Sequence, residues 1–315
     1  MRRALLVGID NYEFSPLTGC VNDAISIQKV LSRNEDESPN FDCKLLTAPD
    51  EDVTRSLLRE QIEVLFANEA DVALFYFAGH GTVNNLGGYL VTRDVKQYDE
   101  GIAMRDVLTL ANKAKVKEMV IILDCCHSGY LGTVPEIDNE SAVLREGVSV
   151  LTASRATQPA AEMGGSGVFT TLVCDALDGG AADVCGNVTV AAVYAYVDQA
   201  LGVWEQRPLF KSHVSRLIPL RKCKPAIELS ILRKIPIYFP HPNDEFKLDP
   251  SFEPDAEPRN EEHEKIFSHL QMYRTARLLE PVGEEHMYYA AINSKSCKLT
   301  LIGQFYWRLV DRGKI

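Results

Sequence analysis

The sequence lacks any stretch approaching the roughly 18 consecutive apolar residues that a membrane-spanning helix requires. Its opening "MRRALLVGI" pairs two arginines with an apolar run, but that run stops at Asp10 and no small-residue cleavage site follows. A secretory leader is therefore not expected. Basic residues are in the minority, with 33 Lys and Arg against 44 Asp and Glu, a net charge of −11. That balance argues against nucleic acid and anionic lipid surfaces as partners, and it suits a basic substrate better. The cysteines at 20, 43, 125, 126, 174, 185, 223 and 297 lack the paired spacing of secreted disulfide scaffolds. Most read as small buried hydrophobes in a reducing, cytoplasmic compartment. Internal repeats and low-complexity tracts are missing as well.

What is present is a chain of 315 residues, 46% hydrophobic, enough for one large domain with an appendage. "RALLVGID" (3–10), "DVALFYFAGHG" (71–81), "EMVIILDCCHSG" (118–129) and "VSVLTAS" (148–154) are continuous apolar runs rather than alternating ones. Such runs suit parallel strands covered on both faces. Helix-like segments at 21–33, 51–68 and 102–115 lie between them, and 167–180 and 189–201 add two more. Strand alternating with helix predicts an α/β fold: an open, mostly parallel sheet flanked by helices.

From about 221 the composition turns rich in proline and acid, and 221–260 reads as an extended linker. Residues 264–279 and 299–315 carry apolar residues at helical spacing, so a small helical domain is expected over 261–315. Its end is similar to winged-helix modules, in which an "LT" turn opens the last helix. Tyr306 and Trp307 read as core, and the acidic balance from 241 onward favours a protein partner or activator over DNA.

Reactive groups gather at two strand ends, "AGHG" (78–81) and "DCCHSG" (124–129). In open parallel sheets, ligands bind outside the carboxyl ends of the strands. If the two strands are neighbours, His80 faces a cysteine across one sheet spacing, which supplies a base for a thiol nucleophile. The glycines flanking His80 let backbone N–H groups approach a developing oxyanion. Side chains alternate along a strand, so Asp124 shares a side with Cys126, and Ala78 with His80. Cys126 is then the nucleophile and Cys125 a packing residue. His127 adjoins Cys126 too closely for good dyad geometry and reads as a structural hydrogen-bonding group. Three consecutive residues cannot easily supply a tetrahedral zinc site, so no metal is expected at 125–127.

With "ALLVGIDNY" (4–12), "LTGCVNDA" (17–24) and "LTASRATQPAAE" (151–162) in the same order, the chain resembles the caspase-like cysteine peptidases of the metacaspase and orthocaspase branch. The resemblance covers about 1–220, divided into a large-subunit-like part (1–130), an intersubunit-like loop (130–147) and a small-subunit-like part (148–220). It implies His80 and Cys126 as the catalytic dyad, with the N–H groups of Gly81 and Cys126 as the oxyanion hole. It also implies an S1 pocket from Cys20, Asp23, Ala78 and Asp124, with Glu162 where such sequences also carry an acid. Two carboxylates there would select arginine, then lysine, at P1. Asp23 could also cap the helix that follows, which does not exclude the pocket role, and Cys20 reads as packing the pocket wall rather than reacting. The acidic run that follows the histidine motif in calcium-dependent members is reduced here to Asp94, so no calcium or other cofactor is expected. A prodomain is not expected either, since the resemblance starts at residue 1. Arg145 is the only basic residue of 130–147 and the candidate site for activating cleavage. The expected function is an intracellular, regulatory, arginine-directed endopeptidase in stress, cell death or defence, with a zymogen that needs a partner as a variant of it. The alternative is a catalytically silent scaffold that recruits partners through its C-terminal domain.

Overall fold

The computed structural model describes residues 1–84, 86–126, 144–153, 162–163, 165–201 and 208–315, with the backbone alone at 126, 162 and 163. Contacts divide it into two units. One comprises Met1–Ala182 with Asn187–Lys224, the other Asp183–Gly186 with Pro225–Ile315.

The first unit is built on a sheet. β1 (Arg2–Ile9) is followed by α1 (Cys20–Leu31), β2 (Asp42–Ala48), α2 (Arg55–Ala67) and the long β3 (Ala70–Asn84). β4 (Gly87–Leu90) folds back on β3 and pairs with the short β5 (Ile102–Ala103), which leads into α3 (Met104–Lys113). β6 (Val116–Cys126) and β7 (Val148–Thr152) complete a parallel set in the order β2, β1, β3, β6, β7. After the hairpin of β8 (Glu162–Met163) and β9 (Ser166–Gly167) come α4 (Val168–Asp175), β10 (Asn187–Val188) and α5 (Val190–Leu201). β11 (Leu209–His213) then joins the outer edge antiparallel to β7, and β12 (Arg221–Lys222) pairs with β10.

The apolar runs are continuous because both sheet faces are covered. Along β3, Phe75 and Phe77 enter a core with residues of α2 and α3, whereas Leu74, Tyr76 and Ala78 enter one with residues of α1, α4 and α5. Each fully buried aromatic or aliphatic side chain of this kind contributes about 1.5–3 kcal/mol. The helix expected over 167–180 ends its regular course at Asp175 and closes in a wide turn through Gly179, at φ +122°. β2 carries no continuous apolar run, because the first half of this edge strand alternates exposed and half-buried positions, and sequence pattern alone does not mark it. Gly8 sets how closely α1 approaches the sheet. A Cβ there would lie 2.3 Å from the Cys20 carbonyl oxygen, so only glycine lets α1 start against the end of β1.

The C-terminal unit corrects the expectation of an extended linker over 221–260. That stretch contains α6 (Leu229–Leu232), α7 (Ile235–Tyr238) and β13 (Glu245–Lys247), and it buries Ile227, Leu232, Ile235, Phe239, Leu248 and Phe252. The prolines at 236 and 250 sit in first turns of short helices, where their missing N–H costs nothing. Then follow α8 (Glu261–Thr275), β14 (Leu279–Val282), α9 (Met287–Ile292), β15 (Ser296–Leu299) and α10 (Leu301–Asp311), with an antiparallel sheet in the order β13, β15, β14. Thr300 caps α10, its hydroxyl accepting from the Gly303 N–H. Tyr306 and Trp307 pack against this unit's core, and the Trp307 indole donates to the Phe239 carbonyl at 2.6 Å. Among the described residues, no helix is long and apolar enough to cross a membrane.

Candidate active site

β3 and β6 are adjacent and parallel, and their register sets His80 beside Cys126, one strand spacing of about 4.8 Å away. Ala78 and Asp124 are likewise partners in that register. His80 is buried, and its surroundings come from the loop after β1. The Asp10 carbonyl accepts from the N–H groups of Tyr12 and Leu17, which folds the loop back over the end of β3. Tyr12 then accepts from the His80 backbone N–H at 3.1 Å and donates to the Val91 carbonyl at 3.1 Å. Burial holds this phenol well above its ordinary pKa, so it stays a neutral donor. Its ring and that of Phe14 lie 4.6 and 5.4 Å from the imidazole. A Cβ on Gly79 would lie 2.5 Å from the Tyr12 hydroxyl, so glycine is required for this close passage.

The imidazole Nε2 is 2.7 Å from the Ser15 carbonyl oxygen. A carbonyl only accepts, so Nε2 carries the hydrogen and Nδ1 is left with a lone pair. Nδ1 is buried and has no hydrogen-bond partner among the described residues. A base is thus left free on the strand next to Cys126. Cys125 is half-buried and packs against the α2 and α3 side of the sheet. A Cβ built on Gly81 would lie 3.1 Å from the Cys125 Cβ.

Two acids lie close by. Asp23, in the first turn of α1, and Asp124, near the end of β6, are 3% and 5% exposed. The Asp23 carboxylate accepts from the Gly167 N–H at 3.1 Å, and Asp124 accepts from the Thr170 hydroxyl at 2.6 Å. A Cβ built on Gly167 would lie 3.1 Å from one oxygen of each, so both acids reach the same spot. Asp23 is pushed up to about 7, first by burial and then by the charge of Asp124, against the pull of the Gly167 N–H. Asp124 is pushed up to about 6 by burial, opposed by the Thr170 hydroxyl and backbone N–H. Asp23 does not cap α1. Gly19 occupies the cap, and Asp10 accepts from the Cys20 and Val21 N–H groups. Cys20 is buried and packs with Ala78 in the core beneath this corner. Glu162 stands in register opposite Gly167 in the β8–β9 hairpin.

The family model of the caspase domain matches residues 1–219. The chain belongs to this family. Its fold is similar to that of a solved protein from Geobacter sulfurreducens, with a TM-score of 0.53, 14% identity, and 70% of this chain and 99% of that one covered. Caspase-1 from Spodoptera frugiperda is similar at a TM-score of 0.53 and 13% identity, over 70% of this chain and 90% of that one. No curated protein matches.

The caspase domain brings His80, Cys126, Ala78, Asp23, Asp124 and the Glu162 backbone to one corner. Arg145 is elsewhere. Its backbone N–H donates to Asn112, and its guanidinium donates to the carbonyls of Ala111, Val116 and Glu146. Val116 begins β6, an 11-residue strand whose ends are about 33 Å apart. His127, most of the 130–147 loop and the stretch 154–161 lie outside the described residues. Reading the sequence missed Asp10, Tyr12, Ser15, Gly167 and Thr170. Asp10 and Tyr12 stand inside the "GIDNY" block, a signal that was available. Ser15 acts through its backbone, which no residue type announces.

Proposed function

We propose that the caspase domain is a cysteine endopeptidase that cleaves after basic residues, arginine before lysine. The single observation carrying this reading is the convergence of two buried carboxylates, Asp23 and Asp124, beside the strand pair that holds His80 and Cys126. A guanidinium offers several N–H donors in a planar fork, so it can serve two acids at once. The ammonium of lysine is a point charge and serves them less well.

In this reading Nδ1 of His80 takes the thiol proton of Cys126, and the thiolate attacks the scissile carbonyl carbon. The N–H groups of Gly81 and Cys126 stabilise the resulting oxyanion. The Ser15 carbonyl, already bonded to Nε2–H, stabilises the imidazolium and holds the ring in its tautomer. The imidazolium gives its proton to the departing amine, leaving a thioester. His80 then deprotonates water, which attacks the thioester and frees the thiolate. No cofactor enters these steps. A regulatory role in the cytoplasm, with a protein partner or activator engaging the C-terminal unit, belongs to the same proposal.

Fluorogenic peptides with Arg, Lys or Asp at P1 test it. Cleavage in the order Arg, Lys, with Asp inert, is expected. Cleavage after Asp overturns the pocket assignment.

A further inference from the structure

The acid pair is held by an unassigned chain of hydrogen bonds that starts inside the core. Tyr76, in β3, is fully buried, and its hydroxyl lies 2.6 Å from that of Thr170 in α4. Thr170, 1% exposed, donates to Asp124 at 2.6 Å. A threonine hydroxyl has one hydrogen, and it goes to the carboxylate. Tyr76 must therefore be the donor to Thr170. Both hydrogens run toward Asp124, and the Thr170 backbone N–H adds another donor. Hydrogen bonds in series polarise one another, and donors aimed at a carboxylate favour its charged form. Asp23 has the weaker set, one N–H shared between its two oxygens and the hydroxyl of half-buried Ser166.

We propose that Thr170, backed by Tyr76, is a positioning residue that makes Asp124 the acid that keeps its charge and leaves Asp23 to hold the proton the pair shares. This rests on the reading that the pair receives a basic P1 side chain. Like charges this close cannot both ionise freely, so an empty site carries about one charge and one proton near neutral pH. A P1 cation docks on Asp124 and drives the proton off Asp23.

Among the described residues, the titratable groups acting on the pair are Asp10, just after β1, Tyr76 from β3 and Cys174 from α4, with Cys20 of α1 acting in turn on Tyr76. Among the described residues, no lysine or arginine hydrogen-bonds with either carboxylate. Substrate is then the cation that completes the site.

The test uses the full chain and two peptides, one with arginine at P1 and one with citrulline, its uncharged isostere. Rates are followed from pH 5 to 9. Thr170→Val keeps the shape but not the donor, and should raise KM for the arginine peptide about tenfold, the cost of one hydrogen bond to a charged group. The acid limb of kcat/KM should move up by about one pH unit. Thr170→Ser should restore both, and Tyr76→Phe should shift both the same way by less. A role in packing alone would leave the pH limb in place. Unchanged KM and limb in Thr170→Val, or no rescue by serine, overturns the proposal. Should Thr170→Val fail to fold, an unmoved limb in Tyr76→Phe overturns it equally. If the wild type does not prefer arginine to citrulline, the basic-P1 reading itself falls, and this proposal with it.

Discussion

The Nε2 of His80 lies 2.7 Å from the carbonyl oxygen of Ser15, and its other ring nitrogen is free of partners among the described residues. A backbone carbonyl has no pKa and no rotamer, so it orients the ring without adding charge. The sharpest consequence concerns the two cysteines at the end of β6. Cys126→Ala is expected to lower turnover of an arginine peptide about ten-thousand-fold or more. Cys125→Ala should retain most of it, and one assay of both variants decides between them.

Tyr12 supports the same histidine through its backbone. Tyr12→Phe removes the acceptor of the His80 N–H and the donor to Val91, a loss of about 1 kcal/mol for each neutral hydrogen bond. A lower Tm and a several-fold fall in kcat, with KM nearly unchanged, are the expected results.

Gly167 lies against both acids of the pair. Gly167→Ala puts a methyl group 3.1 Å from an oxygen of Asp23 and of Asp124, in the space between them. KM for arginine peptides should rise at least tenfold, by loss of one charge-assisted contact. Circular dichroism should show an unchanged fold, since the backbone at Gly167 is extended, with φ −67°.

The acids also make stability depend on pH. The folded pKa of Asp23, about 7, stands above its ordinary value of 3.8, so the folded chain holds a proton that the unfolded chain has released. Stability from this group is complete below about pH 4 and falls as pH rises toward 7. Each unit of such a shift is worth about 1.4 kcal/mol. Asp23→Asn should therefore melt several degrees higher than the wild type at pH 8, with the difference gone near pH 4. Thermal melts across that range check it, and a variant that melts lower at pH 8 contradicts it.

Arg145 sits at the far end of β6 from Cys126 and is tied by four hydrogen bonds. Cleavage after it, where it occurs, is expected to be intermolecular and slow. Mixing Cys126→Ala protein with active wild type should cut the inactive chain at a rate that rises with wild-type concentration. Processing whose rate is independent of dilution would contradict this.

Much of the fold was legible because its causes are local. The runs around Leu6, Phe75 and Ile121 are apolar throughout, as both faces of their strands are buried. The predicted pair could be placed because strand alternation makes Asp124 and Cys126 equivalent positions. The linker expectation failed for a related reason. Proline and acid dominate 240–260 by count, but a few apolar residues such as Phe246, Leu248 and Phe252 suffice to tie the segment to a core.

The sequence by itself determined which residues stand at the ends of the strands, since burial and side-chain period are written into residue type and spacing. Only the tertiary structure decided that β3 and β6 are neighbours in a register pairing His80 with Cys126. It alone brought Asp23 and Asp124 together at Gly167 and turned Ser15, through its backbone, into the partner of the imidazole. Those relations depend on strand order, on α1 closing against Gly8, and on carbonyl groups that every residue carries. Residue type does not encode them.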